Sequence, residues 1–326
     1  MKTKSLIALM FLLPALSPAA ELELVQTIPL KGKPGGLDHL ALDSKRDRLL
    51  VANKANNTLD VVDLKTGTLI KQVPNQTAIQ GIAYAPDLDR IFVGLGTNGL
   101  CNIFDGESYK AIKTIKFADD ADNVRYNPKT QLAYVAHAEK SLGVINAKTN
   151  ILRADIKLSA SAEAFVMEEK RPRLYVTTPS PCQVLVIDTD KNEVVATYPV
   201  KAASNSHPIA LDEGGHRVYL GCRKEPMIVI LDTESGKEIG NVPIPGDVDD
   251  VYLDTGRKRL YASCGDGFLA VSKVVDADHL EEVEKVPTAK GAKTSLYLPE
   301  TGRLYLAVPR QEGKDGPEIR VYQAKP

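Results

Sequence analysis

Residues 209–236 read IALDEGGHRVYLGCRKEPMIVILDTESG. Three short apolar runs stand out: Ile209-Ala210-Leu211, Val218-Tyr219-Leu220 and Ile230-Leu231-Asp232, the last followed by Thr233-Glu234-Ser235-Gly236. Brief runs rich in Val, Ile, Leu and Tyr, bounded by Asp and Gly turns, read as strands and not as helices. The unit recurs. Its first run appears as Leu40–Leu42, Ile82–Tyr84, Val124–Tyr126, Phe165–Met167, Ile209–Leu211, Val251–Leu253 and Leu296–Leu298, at spacings of 42, 42, 41, 44, 42 and 45 residues. A second run follows each, from Leu49–Val51 to Leu304–Leu306, and a third ends in Asp, as in Val61-Val62-Asp63 and Val186-Ile187-Asp188. A more polar fourth run, such as Leu69–Val73, closes the unit.

Four short strands joined by tight turns make one antiparallel sheet, which cannot bury both its faces alone. Packing such sheets radially around an axis buries them and leaves only short edges. The chain therefore predicts an all-β fold, a seven-bladed β-propeller with four antiparallel strands per blade, filling residues 21–326 as a single domain. The last unit supplies three strands, ending in Glu318–Tyr322. Its fourth is expected from Leu22–Leu30, which would close the ring by pairing the two ends.

Residues 1–20 read as an export signal: Lys2 and Lys4, an apolar run Leu6–Leu16, then Ser17-Pro18-Ala19-Ala20. A buried N-terminal helix is the competing reading. The run is too short to span roughly 30 Å of bilayer and Pro14 interrupts it, so no membrane span is expected. The remainder is expected to be exported, periplasmic or secreted, and monomeric. Across all 326 residues, 41 Lys and Arg face 42 Asp and Glu, which provides no net basic field for nucleic acid. With 43% hydrophobic and 25% charged residues, the composition also excludes a disordered or collagen-like chain. Of four cysteines, Cys101 and Cys182 are expected to be free. Cys222 and Cys264 share a repeat position in neighbouring units and could bridge if their Cα atoms came within roughly 7 Å. Without Cys-x-x-Cys-His there is no covalent haem, and no Gly-rich phosphate loop or dinucleotide fingerprint points to a nucleotide.

Leu174-Tyr175-Val176-Thr177-Thr178 with Val186-Ile187-Asp188-Thr189, and Leu49-Leu50-Val51-Ala52-Asn53 with Asp63-Leu64-Lys65-Thr66-Gly67, resemble the repeat of YVTN-type β-propeller proteins. The likeness covers the whole chain after the leader. It departs at the signature's Asn, which is Asn53 in the first unit and Leu95, His137, Thr178, Cys222, Cys264 and Val308 in the others. The resemblance implies the propeller and an exported life, and leaves the activity open, because function belongs to sites and not to folds.

In a propeller the first strand of each blade starts at one mouth of the axial channel. Two residues before each first run stand Asp38, Gln80, Asp122, Glu163, His207, Asp249 and Thr294, all polar. His39 and Asp250 follow two of these, and the ends of the second runs would add Asn53, His137, Thr178, Cys222 and Cys264. The candidate ligand-binding residues are therefore His39, Asp122, His137, Glu163, His207 and Asp249. His39, His137 and His207 are the metal candidates if a divalent metal binds. Converging carboxylates raise one another's proton affinity and attract cations, and imidazoles bind metals or shuttle protons. The plainer reading is a wet channel mouth whose polar side chains are simply solvated. Asp119-Asp120-Ala121-Asp122-Asn123 reads as a solvated acidic loop more readily than as a calcium loop, since it lacks the glycine turn and distal Glu. The basic turn Lys290-Gly291-Ala292-Lys293 and Arg125 offer a place for an anionic group, but pairing with neighbouring carboxylates is the expected reading. His216 and His279 read as surface residues.

No Gly-x-Ser-x-Gly elbow or His-Glu-x-x-His is present. The sequence thus favours an exported binding protein that takes a protein, peptide or small ligand at the polar mouth. Two alternatives stand beside it. One is a metal-dependent hydrolase or lyase, lactonase-like, using Glu163, Asp249 and a histidine. The other is an accessory propeller of a periplasmic electron-transfer complex.

Overall fold

A computed structural model describes residues 20–137 and 140–326. The expected leader, residues 1–20, lies outside the described residues except for Ala20. The described chain forms seven four-stranded antiparallel sheets, and six of them are built from four consecutive strands. The inner strands are Leu40–Asp43, Ile79–Ala85, Val124–Asn127, Phe165–Met167, Ser204–Asp212, Val248–Asp254 and Ser295–Leu298. Among the described residues no helix is long and apolar enough to cross a membrane.

The seventh sheet mixes the two ends of the chain. Leu22–Pro29 pairs with Glu318–Ala324 from Leu22↔Ala324 to Pro29↔Glu318, with a bulge between Leu24 and Gln26. Glu21 adds a two-pronged ion pair to Arg259 of blade 6, both contacts at 2.9 Å.

The turns explain the recurring Asp. After the third strand of blade 5, the Asp232 carboxylate accepts the N–H groups of Glu234 (3.1 Å) and Ser235 (2.7 Å), and Gly236 takes a left-handed φ of 69°. Asp63 does the same for Lys65 and Thr66, with Gly67 at φ 66°. These aspartates hold turns, and glycine serves there because a Cβ is unfavourable at positive φ.

The core is not one mass. It divides into seven apolar clusters, each between adjacent blades. Alternation along the second strand decides which side chain faces which neighbour. In blade 5, Val218, Leu220 and Cys222 pack towards blade 4, while Tyr219 packs towards blade 6. Tyr134, Tyr175, Tyr219, Tyr261 and Tyr305, which share one repeat position, are all buried at these seams.

Candidate functional site

A recurring backbone device places the polar ring. In blade 1 the N–H of Asp38 donates to Ala52 O (2.8 Å), and the N–H of Ala52 donates to His39 O (3.0 Å), so two inner residues face one on the second strand. Asp122 and Asn123 face Ala136 in the same way, and Glu163 and Ala164 face Thr177. In blades 2, 5 and 6 the pairing register breaks at Gln80-Gly81, His207-Pro208 and Asp249. A bulge re-aims the side chain it carries, and here it does so at one position of every one of these blades. Gly81 is required by close approach, because a Cβ there would lie 1.9 Å from Asp122 O.

Asp38, Gln80, Asp122, Glu163 and Asp249 accordingly line one cavity of about 290 Å³, together with His39, Lys54, Arg223 and Lys293. His39 and Asp249 also line an adjoining cavity of about 260 Å³ that runs down the inner strands past Asn123, Arg125, Asp250 and Tyr252.

The charges are organised. Lys54 donates to Asp38 Oδ2 (3.1 Å) and to Gln80 Oε1, and Gln80 Nε2 donates to Asp120 Oδ1 (2.9 Å). Arg223 binds Asp249 through Nη2, with its Nε on Val248 O at 2.9 Å. Lys293 lies 3.3 Å from Asp247 and 3.5 Å from Asp249, so it pairs as the sequence implied. His207 Nδ1 and Glu163 Oε1 are 2.6 Å apart. His39 Nε2 faces Asn123 Nδ2 at 3.2 Å, and the other amide atom of Asn123, Oδ1, is buried with no partner among the described residues.

Asp122 stands apart from these pairs. Its carboxyl has no hydrogen-bond donor among the described residues, although it lines the cavity with Asp38 and Glu163. Burial first, then the charges of Asp38, Glu163 and Asp120, push it up to about 8 against the opposing pull of His39. Asp250 is pushed up to about 7 by burial and by Asp249, opposed by His39 and the Ser295 N–H. Burial also raises Asp249, with Arg223 and Lys293 pulling the other way. Burial lowers the His39 pKa, but Asp38, Asp250 and Asp122 outweigh it, leaving the imidazole above its ordinary value. Burial raises Glu163, but the His207 hydrogen bond and the charges of His207, Arg223 and His39 together outweigh it and leave the carboxyl below its ordinary value. The mouth is thus crowded with more carboxylate than its own cations neutralise.

Two expectations are corrected. His137 does not reach the mouth: it stacks on Phe117 (4.7 Å between rings), with Nε2 on Asp155 at 2.9 Å. Position explains it. The last residue of a second strand faces the preceding blade or its own outer strands, as Asn53 does towards Asp60 and Thr178 towards Pro181 O. The residue after it faces the next blade's mouth, which is where Lys54 and Arg223 stand. Sequence reasoning read one position short and missed both. Consequently His39, His137 and His207 do not converge. Among the described residues, the group whose ligand atoms lie within 4.8 Å of one another is Glu163, His207 and Asp249.

Arg125 is the second departure. Its guanidinium donates to Val124 O (3.0 Å) and comes within ion-pair distance of no carboxylate among the described residues, although it shares a cavity with Asp250 and its charge acts on that carboxyl. His279 is exposed, and so is His216, whose nearest carboxylate is Glu234 at 3.8 Å.

No family model and no curated protein matches the sequence. Solved structures match its shape. A chain of Kuenenia stuttgartiensis hydrazine synthase superposes with a TM-score of 0.76 at 18% identity, covering 85% of this chain and 94% of its own. A chain of a mitotic checkpoint complex gives 0.78 at 14% identity, with both chains fully covered. The WD40 repeats of RRP9 give 0.78 at 10%, covering 94% of this chain and all of theirs. At these identities the likeness establishes the seven-bladed propeller fold and nothing finer.

Proposed function

We propose that this protein is an exported, YVTN-type binding propeller whose axial mouth takes a small ligand carrying an amino group. The Asp122 carboxyl supports this reading. It lies among Asp38, Glu163 and Asp120 without a donor among the described residues, so an entering ammonium group relieves repulsion and supplies a hydrogen bond. Arg125, which shares the adjoining cavity with Asp250 but forms no ion pair among the described residues, suits an acidic group at the ligand's other end. A free amino acid or short peptide combines both charges at a size suited to cavities of about 290 and 260 Å³. The names of the structural neighbours do not choose, since one belongs to an enzyme and another to a checkpoint assembly.

Calorimetry with amino acids, dipeptides and simple amines tests the reading, run at pH 7 in two buffers of different ionisation enthalpy. Binding should release a proton, and Asp122→Asn should abolish both the release and most of the affinity. Affinity unchanged in that variant removes the mouth as the site.

A second reading is favoured by one observation. Glu163, His207 and Asp249 offer two carboxylate oxygens and an imidazole nitrogen within 4.8 Å, a donor set suited to a divalent metal in a hydrolase or lyase. Arg223 and Lys293 beside Asp249 oppose a second positive charge there. Elemental analysis of the purified protein decides between the readings. The third expectation, an accessory propeller of an electron-transfer complex, is carried by no residue of this chain.

A further inference from the structure

Away from the mouth, the seam between blades 4 and 5 brings two thiols together. Cys222 ends the core of blade 5's second strand and is fully buried, facing blade 4. Cys182 begins the third strand of blade 4, packs against the same cluster and remains partly exposed. Ser206 pairs with Cys222 within blade 5, and its hydroxyl donates to Thr178 O of blade 4 at 3.1 Å, four residues before Cys182, which sets both thiols at the same point of the seam. All four cysteines are free in the structure.

The pairing differs from the one the repeat suggested. Cys264 packs towards blade 5, just as Cys222 packs towards blade 4. Equivalent positions in adjacent blades point the same way around the ring, so Cys222 turns its back on Cys264. A partner must come from a strand position of opposite sense, which is what Cys182 provides.

We propose that Cys182 and Cys222 are a reversible redox pair, whose oxidation joins blade 4 to blade 5 through a disulfide. Cys182 is suited to attack first, being accessible and surrounded by donors. The Cys222 thiol and Ser206 hold its pKa down to about 6, against burial and the Glu238 carboxylate. The Cys182 thiolate first, then burial, with Glu238 and Glu225, push Cys222 up, which makes it the resolving partner. The Cys182 thiolate attacks a low-molecular-weight disulfide such as oxidised glutathione, and the S–S bond breaks with one glutathione thiolate leaving. Cys222 then gives up its proton and attacks the Cys182 sulfur of the mixed disulfide, expelling the second glutathione thiolate. Two protein thiols and one glutathione disulfide become one protein disulfide and two glutathione thiols. The electrons of the protein pair pass to glutathione, and both protons are retained as its thiols. Cys101 and Cys264, each buried and pushed up to about 12, take no part.

The experiment equilibrates the folded, full-length protein with oxidised glutathione, blocks free thiols by alkylation and maps peptides by mass spectrometry. The expected product is a single Cys182–Cys222 cross-link that dithiothreitol removes. Cys222→Ala should instead accumulate glutathione on Cys182, and Cys182→Ser should take up none. Alkylation of Cys182 in the reduced protein should be half-maximal near pH 6. Recovery of both residues alkylated after equilibration overturns the proposal. So does wild-type protein that stops at glutathionylated Cys182, or a labelling midpoint near 9. The wild-type results suffice even if a variant folds poorly.

Discussion

His207 Nδ1 lies 2.6 Å from Glu163 Oε1, tying blade 5 to blade 4 at the channel rim across 44 residues of sequence. The bulge at His207-Pro208 turns that imidazole to the axis. His137, at the end of a regular strand, is turned away from it and stacks on Phe117. The two histidines should therefore behave differently. His137→Ala should leave ligand affinity unchanged and cost about 1–3 kcal/mol of stability, since it strands Asp155 and opens space beside Phe117. His207→Ala should weaken binding at least several-fold. Paired calorimetry and urea titrations check this, and equal losses of affinity would contradict the placement.

Asp122 makes stability fall as pH rises. Its folded pKa is raised to about 8 from the ordinary aspartate value of 3.8, so between those limits the folded state keeps a proton that the unfolded state has released. Unfolding free energy then decreases with pH across that window and levels off above it. Asp250, raised to about 7, acts in the same direction. The ligand-free protein should melt higher at pH 5.5 than at pH 8.5. Asp122→Asn should remove on the order of 1–3 kcal/mol of that difference. A flat melting profile for the wild type would contradict the mouth's electrostatics.

Arg223 is the main counter-charge to Asp249. Arg223→Ala should leave a largely buried carboxyl with Lys293 as its one remaining ion-pair partner among the described residues, at a cost of about 2–4 kcal/mol near pH 8. The loss should shrink on acidification as Asp249 takes up a proton. Arg223→Lys should recover part of it, because a lysine restores the charge but not the guanidinium's hold on Val248 O. Chemical denaturation at two pH values measures both.

Ring closure depends on a strand held only by non-covalent contacts. Ile28 is 1% exposed in the seam between blades 7 and 1. Ile28→Ala should cost about 2–4 kcal/mol, whereas Val25→Ala, at the exposed bulge of the same strand, should cost under about 0.5 kcal/mol. Similar losses at the two positions would mean that the strand does not close the ring.

Much of this was legible along the chain. The 42-residue period, the Asp-ended third strands and the missing outer strand of the last unit are local patterns, so both blade count and closure could be read from them. The ring Asp38, Gln80, Asp122, Glu163 and Asp249 was readable too, because it sits at a fixed offset before each inner strand. Lys54 and Arg223 were not, because a shift of one residue in a strand reverses the face on which a side chain emerges.

Sequence alone determined the architecture: seven sheets, their strand order and the use of the first strand to finish the last sheet all follow from periodic apolar runs whose only burial is against one another. Tertiary structure alone decided which polar groups meet. Each blade is rotated about the axis relative to the last, so equal positions inside the seams face the same way round, whereas equal positions at the rim of the channel converge. That rotation, with the bulges at Gln80, His207 and Asp249, gathers Glu163, His207 and Asp249 while sending His137 to Asp155 and Cys222 to Cys182.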